Sequence, residues 1–272
     1  MNLKLKAREI RRGTLTCIGA LGVGHIGGAL SLAEVLAALY FKHMNVDPKR
    51  SKMEGRDRLI VSKGHAGPAV YAALAEKGFF QKSELLTLNL GGTNLPSHCD
   101  MNKTPGIDMT TGSLGQGFSA AAGVAKASLL RGDGATIYTI IGDGESQEGQ
   151  IWEAAMFAAH HKLDNLIAFT DRNGYQIDGS IEEICGIEPL AQKWEAFGWN
   201  VAIVDGHDAN KISDAITAAK KLKNGKPSML ILKTVKGKGV SYIEAAKAGN
   251  HNMNLSKEQI EAALKELELT IN

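Results

Sequence analysis

Two short apolar runs, each stopped by a polar turn, limit what this chain can fold into more than any other feature. Thr136 to Ile141 ends in Gly142-Asp143-Gly144, and Asn165 to Thr170 ends in Asp171-Arg172-Asn173. One amphipathic helix fills the interval, so the stretch reads as strand, glycine turn, helix, strand, polar turn. That order sets Asp143 and Asn173 at the carboxyl ends of two parallel strands, where open parallel sheets bind ligands. A carboxylate and an amide carbonyl are hard oxygen donors suited to Mg2+ or Ca2+, and Mg2+ usually completes its shell with phosphate oxygens. The first expectation is therefore a metal-diphosphate site. The competing account is that Asp-Gly and Asn-Gly form turns and that a strand-ending Asp caps the next helix. Glu148, one turn into the expected helix, would then only complement the helix dipole.

The rest of the chain repeats the alternation. Helical spacing covers Leu3 to about Leu21, and Ser31 is expected to cap a second apolar helix reaching about Met44. Arg58 to Ser62 is a short strand ending at Lys63-Gly64-His65-Ala66, and Pro68 opens a helix. Gly91 to Gly112 carries no apolar period and reads as a long, functional connection. Ser113 to Leu130, rich in alanine and glycine, reads as a helix buried all round. Pro189 to Phe197 and Ile212 to Leu222 read as helices, Asn200 to Val204 and Ser228 to Thr234 as strands, and Lys236 to Asn252 as a polar loop. Ser256 and Gln259 make a capping box for a final helix. Strands near 59, 137, 167, 202 and 231 alternating with helices predict one α/β domain over 1–272, a mostly parallel sheet with helices on both faces.

Composition mainly excludes. Net charge is +2, which points to neither nucleic acid nor an anionic membrane. Three widely spaced cysteines suggest a reducing cytoplasm, and no apolar run reaches membrane-spanning length. Gly22-Val23-Gly24-His25-Ile26-Gly27 fits the dinucleotide pattern in spacing, but it follows a charged helix where that motif needs a strand. Lys236-Gly237-Lys238-Gly239 lacks P-loop spacing. His25, His65, His98 and His251 each sit in an expected loop. Singly each is more often a surface or capping residue, but together they can converge at one sheet edge, binding phosphate or sugar hydroxyls and moving protons. His43, His160 and His161 read as structural or exposed, and His207 leans structural.

These residues carry a resemblance. Gly142-Asp143-Gly144 with Asn173 is similar to the thiamine diphosphate signature, and three further runs resemble transketolase motifs. They are Gly24-His25-Ile26-Gly27, Ser62-Lys63-Gly64-His65-Ala66 and Thr111-Gly112-Ser113-Leu114-Gly115-Gln116-Gly117. The chain resembles the amino-terminal, diphosphate-binding domain of transketolases over nearly its whole length. That resemblance implies a thiamine diphosphate-binding fold, with Mg2+ or Ca2+ held by Asp143, Asn173 and the Tyr175 carbonyl. It places His65, His251, Gly144 and Asn173 on the diphosphate side, and Gly112 and Leu114 on the cofactor rings. It puts His25, His98 and His251 toward the sugar as catalytic groups, and turns Glu148 toward a partner's glutamate.

The departures from the family are Ile26 and Ser113 in place of prolines, Cys99-Asp100 after His98, Arg172 before Asn173, and the loop around His251. The pyrimidine-binding and carboxy-terminal domains of a full transketolase are lacking, which implies the amino-terminal subunit of a split enzyme joined by a separate chain as a heterotetramer. The expected activity is transfer of a two-carbon ketol unit between sugar phosphates, as in pentose phosphate metabolism. The alternatives are a transketolase-like enzyme for a branched, deoxy or sulfonated sugar phosphate, a 2-oxo acid decarboxylating component, or a cofactor-binding subunit without catalysis.

Overall fold

The computed structural model describes residues 2–269. Residue 1 and residues 270–272, which the expected domain includes, lie outside the described residues. The Asn2 side chain accepts the Leu5 N–H at 3.1 Å and opens α1 (Leu3–Leu21). Its buried face carries Leu3, Ala7, Ile10, Thr14, Leu15 and Ile18, the three-and-four spacing of a one-sided helix. Gly22, at φ 81°, closes it, a left-handed position that glycine takes without strain.

The chain continues through β1 (Val23–Gly24), α2 (Gly27–Leu30) and α3 (Ala33–Ala38), which a π turn extends over Leu39–His43. Then come β2 (Arg58–Val61), α4 (Gly67–Lys77), α5 (Gln116–Arg131), β3 (Ile137–Gly142), α6 (Gly149–His160) and β4 (Leu166–Arg172). The second half holds α7 (Ile181–Cys185), α8 (Leu190–Ala196), β5 (Asn200–Asp205), α9 (Ala209–Lys221), β6 (Ser228–Lys233), α10 (Ser241–Ala245), β7 (Met253–Asn254) and α11 (Lys257–Leu269).

Five strands form one parallel sheet in the order β2-β3-β4-β6-β5. Successive side chains on a strand point to opposite faces, and the two cores show it. Tyr138, Ile140, Ile167, Phe169, Leu230 and Leu232 join the core with α1, α3, α4 and α9. Ile137, Ile141, Leu166, Ala168, Met229 and Ile231 join the core with α5, α6 and α8. Both faces are covered, as the alternation predicts, and all five expected strands are present.

Four expectations need correction. Ser31 opens no helix: it closes α2, which already starts at Gly27, and its hydroxyl donates to Asp171 at 2.7 Å. The 113–130 helix is not buried all round. Phe118, Ala121, Ala122 and Ala125 face the core, while Leu129 and Leu130 are exposed. Glu148 lies not inside a helix but at the N-cap of α6, with extended backbone and no capping bond from its side chain. The 236–252 loop contains α10 and a turn of 3-10 helix, and it leads into β7, which pairs antiparallel with β1. That ribbon was invisible in the sequence because two residues on each side are too few to show a period.

Candidate functional site

The carboxyl ends of four parallel strands meet at one cleft of about 350 Å3. Lys63 and His65 follow β2, Asp143 ends β3, Asn173 follows β4 and Lys236 follows β6. The β1-β7 ribbon adds the other wall. It brings residues around 24 and 253 side by side, so that the His25 and His251 rings lie 5.3 Å apart, edge to face. His25 is central: its ring is 5.4 Å from His65 and 5.6 Å from His98, and His65 is 5.0 Å from His251.

All the residues singled out from sequence reach this cleft. His25, His65, His98 and His251 line it together with Gly112, Leu114, Asp143, Gly144, Glu148, Asn173 and Tyr175. Close packing explains two of the motif glycines. A Cβ on Gly27 would sit 1.9 Å from Asn250 Oδ1, and one on Gly64 2.5 Å from the Thr111 carbonyl. The Tyr71 hydroxyl bridges the carbonyls of Pro96 at 2.8 Å and His98 at 3.1 Å, holding the loop that presents His98. At the departures, Cys99 is buried, the Asp100 carboxylate accepts the Asn102 N–H at 2.8 Å, and Arg172 pairs with exposed Glu188.

All four imidazoles are held neutral near pH 7. Burial lowers each pKa. The neighbouring His98 and Lys236 add to the effect on His25, Lys63 and the other histidines add to it on His65, and Lys236, His25 and Lys63 bring His251 to about 4. A neutral imidazole can donate and accept at once, which suits hydroxyl recognition and proton movement. The consequence for stability has a definite sign. The unfolded chain takes protons on its histidines below about pH 6.5 while the folded protein resists them, so stability is complete above that pH and falls toward pH 4. Replacing His251 by Asn should therefore lessen the stability lost between pH 7 and pH 5, by about 1 kcal/mol after discounting its partial exposure. Urea unfolding of both proteins at the two pH values checks this, and parallel losses would refute it.

Acidic and basic groups alternate across the floor. Lys63 is 2 % exposed and donates to the Gly28 carbonyl at 2.9 Å and to Asp171, which also accepts from Ser31, Asn173 and Thr234. Burial alone would raise the Asp171 pKa, but the Lys63 charge and these donors hold it below the usual range. Asp143 has no such cation. Its oxygens accept the N–H groups of Gly144 at 2.8 Å and Gly174 at 2.6 Å. Burial and the nearby Asp171 charge push its pKa up to about 6. A buried carboxylate with no contacting ammonium or guanidinium among the described residues fits a divalent cation. Among the described residues Asn173 Oδ1 accepts only the Tyr175 N–H, at 3.1 Å, which leaves a lone pair for the same ion. No three His, Cys, Asp or Glu side chains among the described residues converge on a metal point. A cation here would thus draw on carboxylate, amide and main-chain oxygens plus those of its ligand, the hard set that Mg2+ takes.

Lys63, Asp171, Glu145 and Lys236 were not singled out from sequence as site residues. Lys63 stands inside a recognised motif and could have been found there. Lys236 is 4 % exposed, and burial and Lys63 lower its pKa to about 8. Its ammonium sits 3.4 Å from His251 Nδ1, with no carboxylate in ion-pair contact among the described residues. Glu145 is buried and ties three elements, accepting from Ser62 after β2, from the Gly115 N–H before α5 at 2.8 Å and from the Gly142 N–H at 3.0 Å. Glu145→Ala strands those donors and should lower unfolding free energy by on the order of 3 kcal/mol, read from denaturant midpoints.

Comparison with known proteins gives one answer. Residues 4–270 match the family described as the transketolase, thiamine diphosphate binding domain. The chain is 59% identical over 268 residues to a 6-deoxy-6-sulfo-D-fructose transketolase subunit, SqwG, of a Clostridium species, covering 98% of this chain and 97% of that one. It is 40% identical to an apulose-4-phosphate transketolase subunit of Actinobacillus succinogenes, covering 97% and 95%. Among solved structures, a transketolase from Pichia stipitis superposes with a TM-score of 0.90 at 31% identity, over 98% of this chain but 41% of that one. The chain thus spans about two fifths of the solved transketolase and nearly all of the named subunits.

Proposed function

The chain belongs to the transketolase family, as its thiamine diphosphate-binding domain, and from that premise we propose that it is the amino-terminal subunit of a two-chain transketolase. We take residues 1–272 as one diphosphate-binding domain that works only with a separate chain carrying the pyrimidine-binding and carboxy-terminal domains, two copies of each, in the cytoplasm. The observation that carries the proposal is a buried Asp143, with no contacting ammonium or guanidinium among the described residues, beside four neutral imidazoles at one sheet edge. The match to relatives named as subunits over almost their full length supports the two-chain arrangement.

The residues divide the work. Asp143, the Asn173 side chain and the Tyr175 carbonyl would hold Mg2+ or Ca2+. His65, His251, Gly144 and the Lys236 ammonium would meet the diphosphate, and Gly112 and Leu114 would bear on the rings. Thiamine diphosphate supplies the carbon nucleophile that accepts and passes on a two-carbon unit, while the protein binds and orients. His25, His98 and His251, neutral and with the His25 ring beside each of the other two, can hold the sugar hydroxyls and hand protons on and off them. Glu148 lines the cleft and is exposed, and we place it against the partner's acidic group that activates the aminopyrimidine.

For the substrate we propose a ketose with an anionic terminus, and a sulfonated ketose before an ordinary sugar phosphate. The 59% identity to a protein named for 6-deoxy-6-sulfo-D-fructose, against 40% to one named for apulose 4-phosphate, favours that order. The test is reconstitution. The chain alone should turn over neither 6-deoxy-6-sulfo-D-fructose nor fructose 6-phosphate. Adding the partner chain, thiamine diphosphate, Mg2+ and an aldose acceptor should release the shortened aldose, faster from the sulfonated donor. Full activity without the partner overturns the two-chain proposal, and pyruvate decarboxylation in place of ketol transfer overturns the reaction.

A further inference from the structure

Lys236 is held in an unfavourable place. Its ammonium is buried, it has no carboxylate partner among the described residues, and the Lys63 charge repels it. A flexible four-carbon side chain in that position relaxes outward unless its main chain is pinned. The neighbouring Val235 side chain is 41% exposed, so apolar burial does not hold the segment down.

Hydrogen bonds do. The Val235 N–H donates to His207 Nε2 at 2.7 Å, the Lys236 carbonyl accepts from Asn250 Nδ2 at 3.1 Å, the Gly237 N–H donates to the Gly27 carbonyl at 2.9 Å, and the Lys238 carbonyl accepts from Arg11 Nε at 2.9 Å. Two of these four anchors, at Val235 and Lys238, belong to one buried cluster. Arg11 on α1 grips Glu34 on α3 with two bonds of 2.6 and 2.7 Å, and His207 Nδ1 faces the same carboxylate at 3.4 Å. Because Nε2 accepts from Val235, it carries no proton, so the proton rests on Nδ1 and points to Glu34. Arg11 and Glu34 would join α1 to α3 without help. The third member, His207 in the turn after β5, links that joint at Nδ1 to the segment that carries Lys236 at Nε2.

We propose that His207, oriented by the Arg11–Glu34 pair, is a positioning residue that fixes the 235–238 segment so that Lys236 presents its ammonium to the anionic end of the bound ligand. This rests on the assignment of the cleft to a diphosphate. His207 itself lies outside the cleft and touches no ligand. It acts through the main chain of Val235, and its effect on binding passes through Lys236.

A double-mutant cycle tests this, with calorimetric titration of thiamine diphosphate and Mg2+ into the full chain with its partner chain present. His207→Leu should weaken binding by about tenfold, and His207→Gln, which keeps an acceptor for the Val235 N–H, should restore most of it. Lys236→Met should weaken binding more, and adding His207→Leu to it should cost less than a further twofold, since the group being positioned is gone. Fully additive losses, or wild-type affinity in a folded His207→Leu protein, overturn the proposal. Should His207→Leu fail to fold, the same cycle runs with Glu34→Gln, which keeps the packing, and is judged by the same non-additivity. A wild-type protein that binds no thiamine diphosphate removes the diphosphate assignment, and this inference with it, whereas wild-type binding with an additive cycle removes this inference alone.

Discussion

Asp143→Ala should abolish metal-dependent binding of thiamine diphosphate, weakening it by about 100-fold or more, near 3 kcal/mol. The protein should remain folded, because two effects oppose each other. The substitution strands the N–H groups of Gly144 and Gly174, but it also removes a buried charge that the Asp171 carboxylate repels. A titration with and without chelator, beside a thermal melt, separates lost ligand from lost structure. Retained affinity that ignores the chelator would sink the metal assignment. The raised pKa adds a pH signature. A cation must displace the proton that Asp143 holds below about pH 6, so wild-type affinity should be level above that pH and decline by up to about tenfold per unit below it.

Lys63→Met is the second large expected effect, on the fold as well as the ligand. Lys63 and Asp171 are 3% and 0% exposed, and removing one partner of such a pair leaves an uncompensated charge, at a cost of about 3–5 kcal/mol. The remaining donors from Ser31, Asn173 and Thr234 place the loss toward the lower end. Its sign with pH is fixed by the orphaned acid. Without the ammonium, the pKa of Asp171 rises, and a carboxyl with a raised folded pKa loses stability as pH climbs through that value. Urea unfolding at pH 5.5 and pH 8 should show the larger penalty at pH 8. Equal penalties would mean that the pair contributes packing rather than charge compensation.

The sheet was legible because buried parallel strands make apolar runs bounded by turns, and such runs carry their own ends. Asp143 and Asn173 were placed by those ends alone. The histidines required more, since nothing local distinguishes His65 from a capping residue until β1 and β7 draw His251 toward it. The helix at Gln116–Arg131 misled because alanine and glycine look apolar on every side whether or not a neighbour covers them. Lys63 and Lys236 were passed over for a related reason. A lysine is read from sequence as a solvated charge, and only the assembled edge shows both of them buried, one paired with Asp171 and the other without a carboxylate partner among the described residues. Ser31, which looks like a helix cap, turns its hydroxyl to Asp171, a partner far away in sequence and so beyond any pattern of spacing.

The two-residue ribbon between Val23–Gly24 and Met253–Asn254 bears on the order of events during synthesis. His25 leaves the ribosome long before His251, and the ribbon lays their two rings edge to face. Closing so long a span is entropically costly and comes late. A nascent chain can therefore assemble its sheet while its ligand cleft still lacks one wall. Competence to bind waits until residues 253 and 254 have been made and paired, so that occupancy of the cleft reports that the ribbon has closed.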